Sequence, residues 1–153
     1  MKLALALCMT LMLTPFAFAQ DEATATNDSD IAERVLGMAQ GTWELTMERG
    51  GQEIYSIKEI EGNKETISRY RDDELIAQWT VDFEVTHANG LNMFTYRNMT
   101  FTHGPNEGNT NPGPFSYVFK IHDDEWHEVH GVKQGDSRRP NITVYKKKSD
   151  DRP

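Results

Sequence analysis

The sequence predicts an all-β protein: an eight-stranded antiparallel up-and-down barrel preceded by a short helix. The first observation is that apolar and polar residues alternate with a period of two from Gly41 onwards. The second is that pairs of Gly, Asn and Asp residues divide this stretch into short segments. Because nearly all the connections are short, neighbouring strands should pair antiparallel, and closing the sheet would remove its exposed edges.

The first nineteen residues are predicted to be an export signal. Lys2 gives a positive start, an apolar stretch too short to span a bilayer follows, and Ala17-Phe18-Ala19 has the small-x-small pattern of a cleavage site. The mature chain would begin at Gln20 and be secreted or periplasmic. Cleavage would also remove Cys8, the single cysteine, and a secreted domain without cysteine suggests a bacterial cell envelope.

The charge of the mature chain excludes some classes of partner. Loss of Lys2 takes the formal charge from −8 to −9, which argues against nonspecific binding to nucleic acid or to anionic membranes. No second apolar stretch is long enough to span a membrane. The chain is therefore divided into a signal at 1–19, a leader at 20–29, one domain at 30–148 and a charged tail at 149–153.

A short helix is predicted between the leader and the first strand. The leader lacks large apolar residues and is expected to be disordered. Asp30 is predicted to cap the helix, with Glu33 three positions later completing a capping-box-like pair, and Gly41 to end it. An apolar stripe at helical spacing consists of Ile31, Val35, Leu36 and Ala39.

Eight strands are predicted after this helix. They cover residues 42–48, 54–60, 64–70, 75–86, 91–101, 115–121, 125–132 and 141–147. The strand at 75–86 carries on one face Leu75, Ala77, Trp79, Val81, Phe83 and Val85. Its unusual length predicts a bend or bulge midway. The one long loop, 103–114, is rich in Gly, Pro and Asn, and long loops in compact domains are often functional.

Gly41-Thr42-Trp43, the helix before it and the eight-strand meander resemble the lipocalin-like (calycin) group over residues 31–148. The chain is most similar to short, secreted bacterial lipocalin-like domains, which commonly begin with a Gly-Thr-Trp strand and end in an aliphatic strand closing on Lys or Arg. The resemblance implies that Trp43 plugs the closed end of the barrel, with Lys146 or Lys147 across its indole. Gly41 would let the backbone pass close beneath. The chain is shorter than the larger lipocalins, so its strands could instead fill the interior with their own side chains.

Apolar inward faces with a few polar groups are typical of small-molecule sites. The candidate ligand-binding residues are Trp79, Phe83, Arg97, Tyr117, Phe119, Trp126 and His130. Arg97 shares a face with Met93, Thr95 and Met99, and from that face it could anchor a carboxylate or phosphate inside the barrel. The alternative is that Arg97 points outwards and Phe94 and Tyr96 face the core.

The sequence predicts no metal, no cofactor and no catalytic residue. His127 and His130 lie three apart on a strand and so point to opposite faces, and no nucleophile elbow is present. Glu128 and His130 share a face and could pair, although a solvated strand edge is the favoured interpretation of this cluster. His130 would also be the nearest candidate for an iron ligand, because haem-binding barrels with a Gly-Thr-Trp start occur in this broad group.

The predicted function is non-catalytic binding or transport of a small apolar or amphipathic molecule, with loop 103–114 at the open end of the barrel. An alternative from another class is a protein-interaction module with a filled barrel, which would bind a protein through that loop or through the wet face of 75–86. A third hypothesis, ranked last, is a haem-binding or enzymatic barrel built around His130 and Glu128.

Overall fold

The computed structural model describes residues 27–132 and 139–149. The predicted export signal, the leader up to residue 26 and the end of the tail lie outside these ranges. The described residues form one helix, α1 (Asp28–Ala39), and nine strands. The strands are β1 (Gly41–Arg49), β2 (Gln52–Glu61), β3 (Lys64–Arg71), β4 (Glu74–Ala88), β5 (Leu91–His103), β6 (Thr110–Asn111), β7 (Phe115–His122), β8 (Glu125–His130) and β9 (Asn141–Lys147).

Eight of these strands close into an antiparallel up-and-down barrel, which confirms the predicted fold class. Around the ring the strands follow the order β1, β2, β3, β4, β5, β7, β8 and β9, and β9 pairs again with β1. The additional strand, β6, is two residues long and lies within the predicted long loop, where it pairs with β5 alone. The predicted irregularity in β4 is present, because its register with β5 shifts twice, near Trp79 and Val81.

The helix begins three residues earlier than predicted. Its N-cap is Asn27, whose side chain accepts a hydrogen bond from the backbone N–H of Ser29 at 3.3 Å. Asn caps a helix as well as Asp does, and this earlier start places Asp28 and Asp30 in the first turn, where negative charge favours the helix dipole. The predicted cap, Asp30, is therefore a first-turn residue.

The helix covers one end of the barrel, which we call the closed end. The turns at 62–63, 89–90 and 123–124 also lie there, and the side chain of Gln40 exchanges two hydrogen bonds with the backbone of Gly62. Val35 and Ala39 of the helix are buried in the same apolar cluster as Trp43 and Phe83. The opposite end, with the turns at 50–51 and 72–73 and the loop at 104–114, is the open end.

Trp43 is the central residue of the closed end. Its indole N–H donates to the carbonyl oxygen of Ala39 at 2.8 Å. Of the two candidate lysines, Lys147 lies over the indole, with Nζ 4.4 Å from the ring centroid, and donates to the carbonyl oxygen of Gln40. Gly41 has a φ of 102°, and a Cβ there would lie 3.2 Å from Lys147 Nζ. Gly41 therefore makes room for this lysine side chain.

The barrel wall is weakest between β1 and β9. These strands pair at two positions, Trp43 with Lys147 and Glu44 with Lys146, both near the closed end. The β1–β2 ladder, in contrast, runs from Gly41 to Arg49. The rest of β1 therefore has no β9 partner, which leaves a seam in the wall of the open half.

Candidate functional site

The open half of the barrel contains a cavity of about 290 Å³. Its apolar and aromatic walls include Met47, Ile67, Trp79, Tyr96 and Met99. Its floor, which faces the closed end, includes Lys58, Glu65, Tyr117, Glu128 and Tyr145. Arg69, His130, Asn141 and Thr143 line the cavity nearer the open end. The cavity is therefore partly apolar with a strongly polar floor.

The closed half is filled by aromatic side chains that support this floor. Phe94, which is fully buried, stacks on Phe83 at 4.3 Å and on Tyr117 at 4.8 Å between ring centroids. Trp126 stacks on Phe119 at 5.1 Å and meets Trp43 edge to face at 5.4 Å. Ring pairs of this kind add to the stabilisation that burial already provides. One half of the barrel is thus filled and the other hollow.

Lys58 is the centre of the floor and is only 1% exposed. Its ammonium is hydrogen-bonded to Glu128, donates to the hydroxyl of Tyr117 at 3.3 Å and forms an ion pair with Glu65 Oε1 at 2.9 Å. It also lies 4.4 Å from the centroid of the Trp126 ring, where a cation is attracted to the face of the indole. A buried lysine is tolerated because its charge lies beside two carboxyl groups and a hydroxyl group.

The pKa values of the floor residues follow from burial and from this lysine. Burial alone would lower the pKa of Lys58, but Glu128 and Glu65 more than offset it and hold that pKa above its ordinary value. Burial raises the pKa of Glu65, and Lys58 offsets only part of this. Burial acts in the same direction on Glu128, but Lys58 and a hydrogen bond from His130 bring its pKa below the ordinary value. Burial also raises the pKa of Tyr145 to about 12. The two carboxyl groups beside one lysine are therefore not equivalent.

The carboxylate–imidazole pair that the sequence suggested is present inside the barrel. Glu128 Oε2 lies 3.0 Å from His130 Nε2. Glu128 is only 4% exposed, so the interpretation of this cluster as a solvated strand edge is wrong for Glu128. It holds for Glu125 and His127, which face outwards, are about half exposed and pair at 2.9 Å. Side chains alternate between the two faces of β8, so Glu128 and His130 point into the barrel whereas Glu125 and His127 point out of it.

Two groups that line the cavity have polar atoms without a hydrogen-bond partner. Glu65 is 4% exposed, and its Oε1 contacts Lys58 without the geometry of a hydrogen bond. The Nε of Arg69 is buried and has no partner, while its guanidinium lies 4.8 Å from the centroid of the Trp79 ring. Burial lowers the pKa of Arg69. Polar atoms inside a protein cost free energy when they make no hydrogen bond, so a donor for Glu65 Oε1 and an acceptor for Arg69 Nε would stabilise the lining.

The structure brings three of the seven predicted ligand-binding residues to the cavity. These are Trp79, Tyr117 and His130. Phe83, Phe119 and Trp126 belong to the filled half. Arg97 lies outside the barrel, where its Nη2 donates to Glu84 Oε1 at 2.8 Å. Phe94 and Tyr96 take the inward positions of β5, and alternation then points Arg97 outwards. The alternative placement of Arg97 is the one observed.

Sequence reasoning missed Lys58, Glu65 and Arg69. In β2 the inward residues are Ile54, Ser56, Lys58 and Ile60. Tyr55 and Ile57 occupy the other face, so both faces of this strand hold two large apolar residues, and alternation does not say which is buried. Lys58 shares a face with Ile54 and Ile60, and this was the one feature of the sequence that could have placed it inside the barrel.

Neither a metal-binding cluster nor a membrane-spanning helix is found among the described residues. No group of three or more His, Cys, Asp and Glu side chains in residues 27–132 and 139–149 is arranged to hold a metal ion. Within the same ranges, no helix has both the length and the apolar character needed to cross a membrane.

These features define a class of protein: a closed eight-stranded antiparallel barrel that fits a calycin-like fold and has a charged cavity in one half. Comparisons with protein-family models, with curated proteins and with solved structures found no match. The cavity and its chemistry are therefore the basis for assigning a function.

Proposed function

We propose that this protein is an exported, lipocalin-like carrier that binds a small amphipathic molecule in the open half of its barrel, without catalysing a reaction. The observation that carries the proposal is the cavity itself: about 290 Å³, with aromatic walls and two polar atoms that make no hydrogen bond, Glu65 Oε1 and Arg69 Nε. Small-molecule sites combine an apolar lining with a few polar groups that fix the orientation of the ligand.

The arrangement of the ionisable groups supports binding rather than chemistry. Lys58 meets Glu128, Glu65 and Tyr117, and Glu128 is held on its other oxygen by His130. A nucleophile or a general base needs reach to a reacting atom, whereas these groups are directed at one another. The alternative of a filled interaction module needs a packed interior, and the cavity supports the carrier instead.

The size of the cavity sets the size of the ligand. The volume of the cavity is about 290 Å³. It lies at the lower end of the range for ligand pockets. A molecule built around one aromatic ring is therefore a suitable probe, and 4-methylbenzyl alcohol supplies such a ring together with a hydrogen-bonding group.

The proposal is tested by titrating the protein with 4-methylbenzyl alcohol and following backbone ¹H–¹⁵N shifts by NMR. We expect saturable shifts at the inward residues of the open half, including Trp79 and Tyr96. Thr143→Trp, which fills the cavity, should abolish them. The matched control Thr86→Trp, on the exposed outer face of β4, should preserve them. Shifts that do not saturate, or that survive in Thr143→Trp, would count against the carrier function.

A further inference from the structure

The two cavity atoms that make no hydrogen bond, Glu65 Oε1 and Arg69 Nε, have opposite chemistry. Glu65 Oε1 can only accept a hydrogen bond when the carboxyl is ionised, whereas Arg69 Nε can only donate. Both lie on the inward face of β3, with Glu65 at the floor and Arg69 nearer the open end. Four residues of strand separate their Cα atoms by about 13 Å. One ligand with two different polar ends could satisfy both.

Two cationic and two acidic side chains line the cavity. Lys58 and Arg69 are the cationic ones, and their charges sum to zero with those of Glu65 and Glu128 when both carboxyl groups are ionised. Of these four, Lys58, Glu65 and Glu128 are almost completely buried. A ligand with a net charge would add an uncompensated charge to a desolvated site, which is costly. A ligand of zero net charge leaves the balance intact.

We propose that the carried molecule is a zwitterion: an ammonium group pairs with Glu65 at the floor, a carboxylate pairs with Arg69 nearer the open end, and a short aromatic or apolar body joins them. This inference rests on the proposed carrier function and specifies its ligand class. The walls suit the joining body, because Trp79, Tyr96 and Met99 line the space between the two ends. The rings of Tyr117 and Tyr145 also border the floor, where they face the ammonium of Lys58.

The other floor residues leave this role to Glu65. Lys58 donates to Glu128 and Tyr117 and forms an ion pair with Glu65, and both oxygens of Glu128 are engaged. Burial raises the pKa of Glu65, and a ligand ammonium beside it would favour the ionised carboxylate. The ligand would thereby give Glu65 Oε1 the hydrogen-bond donor that its ion pair with Lys58 does not supply.

Three probes with one ring in common test the inference, with 4-methylbenzyl alcohol as the neutral reference. They are 4-(aminomethyl)benzoate, a zwitterion, 4-methylbenzylamine, a cation, and 4-methylbenzoate, an anion. Isothermal titration calorimetry of the full chain should give the zwitterion the lowest Kd, by about tenfold or more over either singly charged probe, because each end adds a charge-assisted hydrogen bond.

Variants assign the two ends of the ligand. Glu65→Gln should weaken the zwitterion to the level of 4-methylbenzoate, and Arg69→Gln should weaken it to the level of 4-methylbenzylamine. Glu84→Gln and Arg97→Gln are the matched controls, since these residues form an acid–base pair on the outer surface. Both controls should retain the preference for the zwitterion.

The outcomes separate this inference from the carrier function. Equal binding of all four probes would overturn the zwitterion and leave the carrier standing. A singly charged probe that binds as tightly as the zwitterion in the unchanged protein would do the same, whether or not the variants fold. Failure of every probe, including the neutral alcohol, would overturn the carrier function and the zwitterion together.

Discussion

At the residue scale, Lys147 connects the first and last strands of the barrel by its charge. Its ammonium lies over Trp43 and donates to the carbonyl oxygen of Gln40, just after the helix. This single side chain therefore joins β9, the helix end and the central indole of the closed end. The preceding residue, Lys146, is exposed. It therefore serves as a matched control for measuring what Lys147 contributes to stability.

We expect Lys147→Met to lower the free energy of unfolding by about 1–3 kcal/mol, because it removes a cation–π contact and a charge-assisted hydrogen bond but keeps an apolar stem. Lys146→Met should change it by less than about 0.5 kcal/mol, as expected for a surface position. Urea unfolding followed by tryptophan fluorescence measures both. Equal effects of the two substitutions would show that the contact with Trp43 contributes nothing.

Glu65 and Glu128 provide a second residue-scale prediction, since they flank one lysine and have pKa values shifted in opposite directions. Above the ordinary value of 4.5, folded Glu65 keeps a proton that the unfolded chain has released, so its contribution to stability falls as the pH rises. Below 4.5, folded Glu128 has lost a proton that the unfolded chain still holds. Its stabilisation is therefore present above 4.5 and is lost as the pH falls through the folded pKa.

Substitution by Gln should reveal these opposite signs. Relative to the unchanged protein, Glu65→Gln should become progressively more stable as the pH rises above 4.5. Glu128→Gln should become relatively less stable as the pH rises towards 4.5 and then stay constant. Urea unfolding between about pH 3 and about pH 7 gives the slopes, which do not depend on any constant effect of the amide. Slopes of the same sign would contradict the assignment.

At the element scale, the seam between β1 and β9 should be the most dynamic part of the wall. Residues 45–49 of β1 pair with β2 on one side but have no β9 partner on the other. Since backbone N–H groups alternate in direction along a strand, every second amide in this stretch should exchange with solvent quickly. Hydrogen exchange followed by NMR measures each amide.

Strand β2 is the internal control for the seam, because from Tyr55 to Ile60 it is paired on both sides. Its amides should exchange slowly at every position. Uniformly slow exchange along residues 45–49 would show instead that the seam is closed in solution.

Element patterns also explain how much of the fold the sequence could predict. The strand at 75–86 had one clearly apolar face, which showed its position, and an unusual length, which predicted its irregularity. Strand β2 had two apolar faces, so Lys58 could not be assigned to the interior. The cap at Asn27 was missed because Asn27, Asp28, Ser29 and Asp30 are all residue types that cap helices well, so the sequence alone does not say which of them does.

At the scale of the whole molecule, the cavity could not be predicted because its hollowness depends on residues far apart in the chain. Trp79, Tyr117 and His130 were identified from their strand faces, but the same pattern included Phe83 and Phe119, which fill the closed half. The residues that line the cavity and those that fill the closed half differ in their height along the barrel axis. That height follows from the register of neighbouring strands, which the sequence pattern does not give. The floor depends on Lys58, Glu65 and Glu128 meeting from three strands.

The export hypothesis belongs to the same scale, since it concerns the whole chain and where it acts. We expect a chain expressed in a bacterium with its own residues 1–19 to be recovered from the periplasm or the medium with Gln20 as its first residue. Small residues at positions 17 and 19 are what the signal peptidase requires, so Ala19→Arg should leave the signal attached. Intact mass spectrometry of each fraction measures cleavage directly.

Thr26→Arg, well beyond the cleavage site, is the control and should be processed normally. Uncleaved wild-type chain in the cytoplasm would contradict export and would place the carrier among cytoplasmic ligands instead.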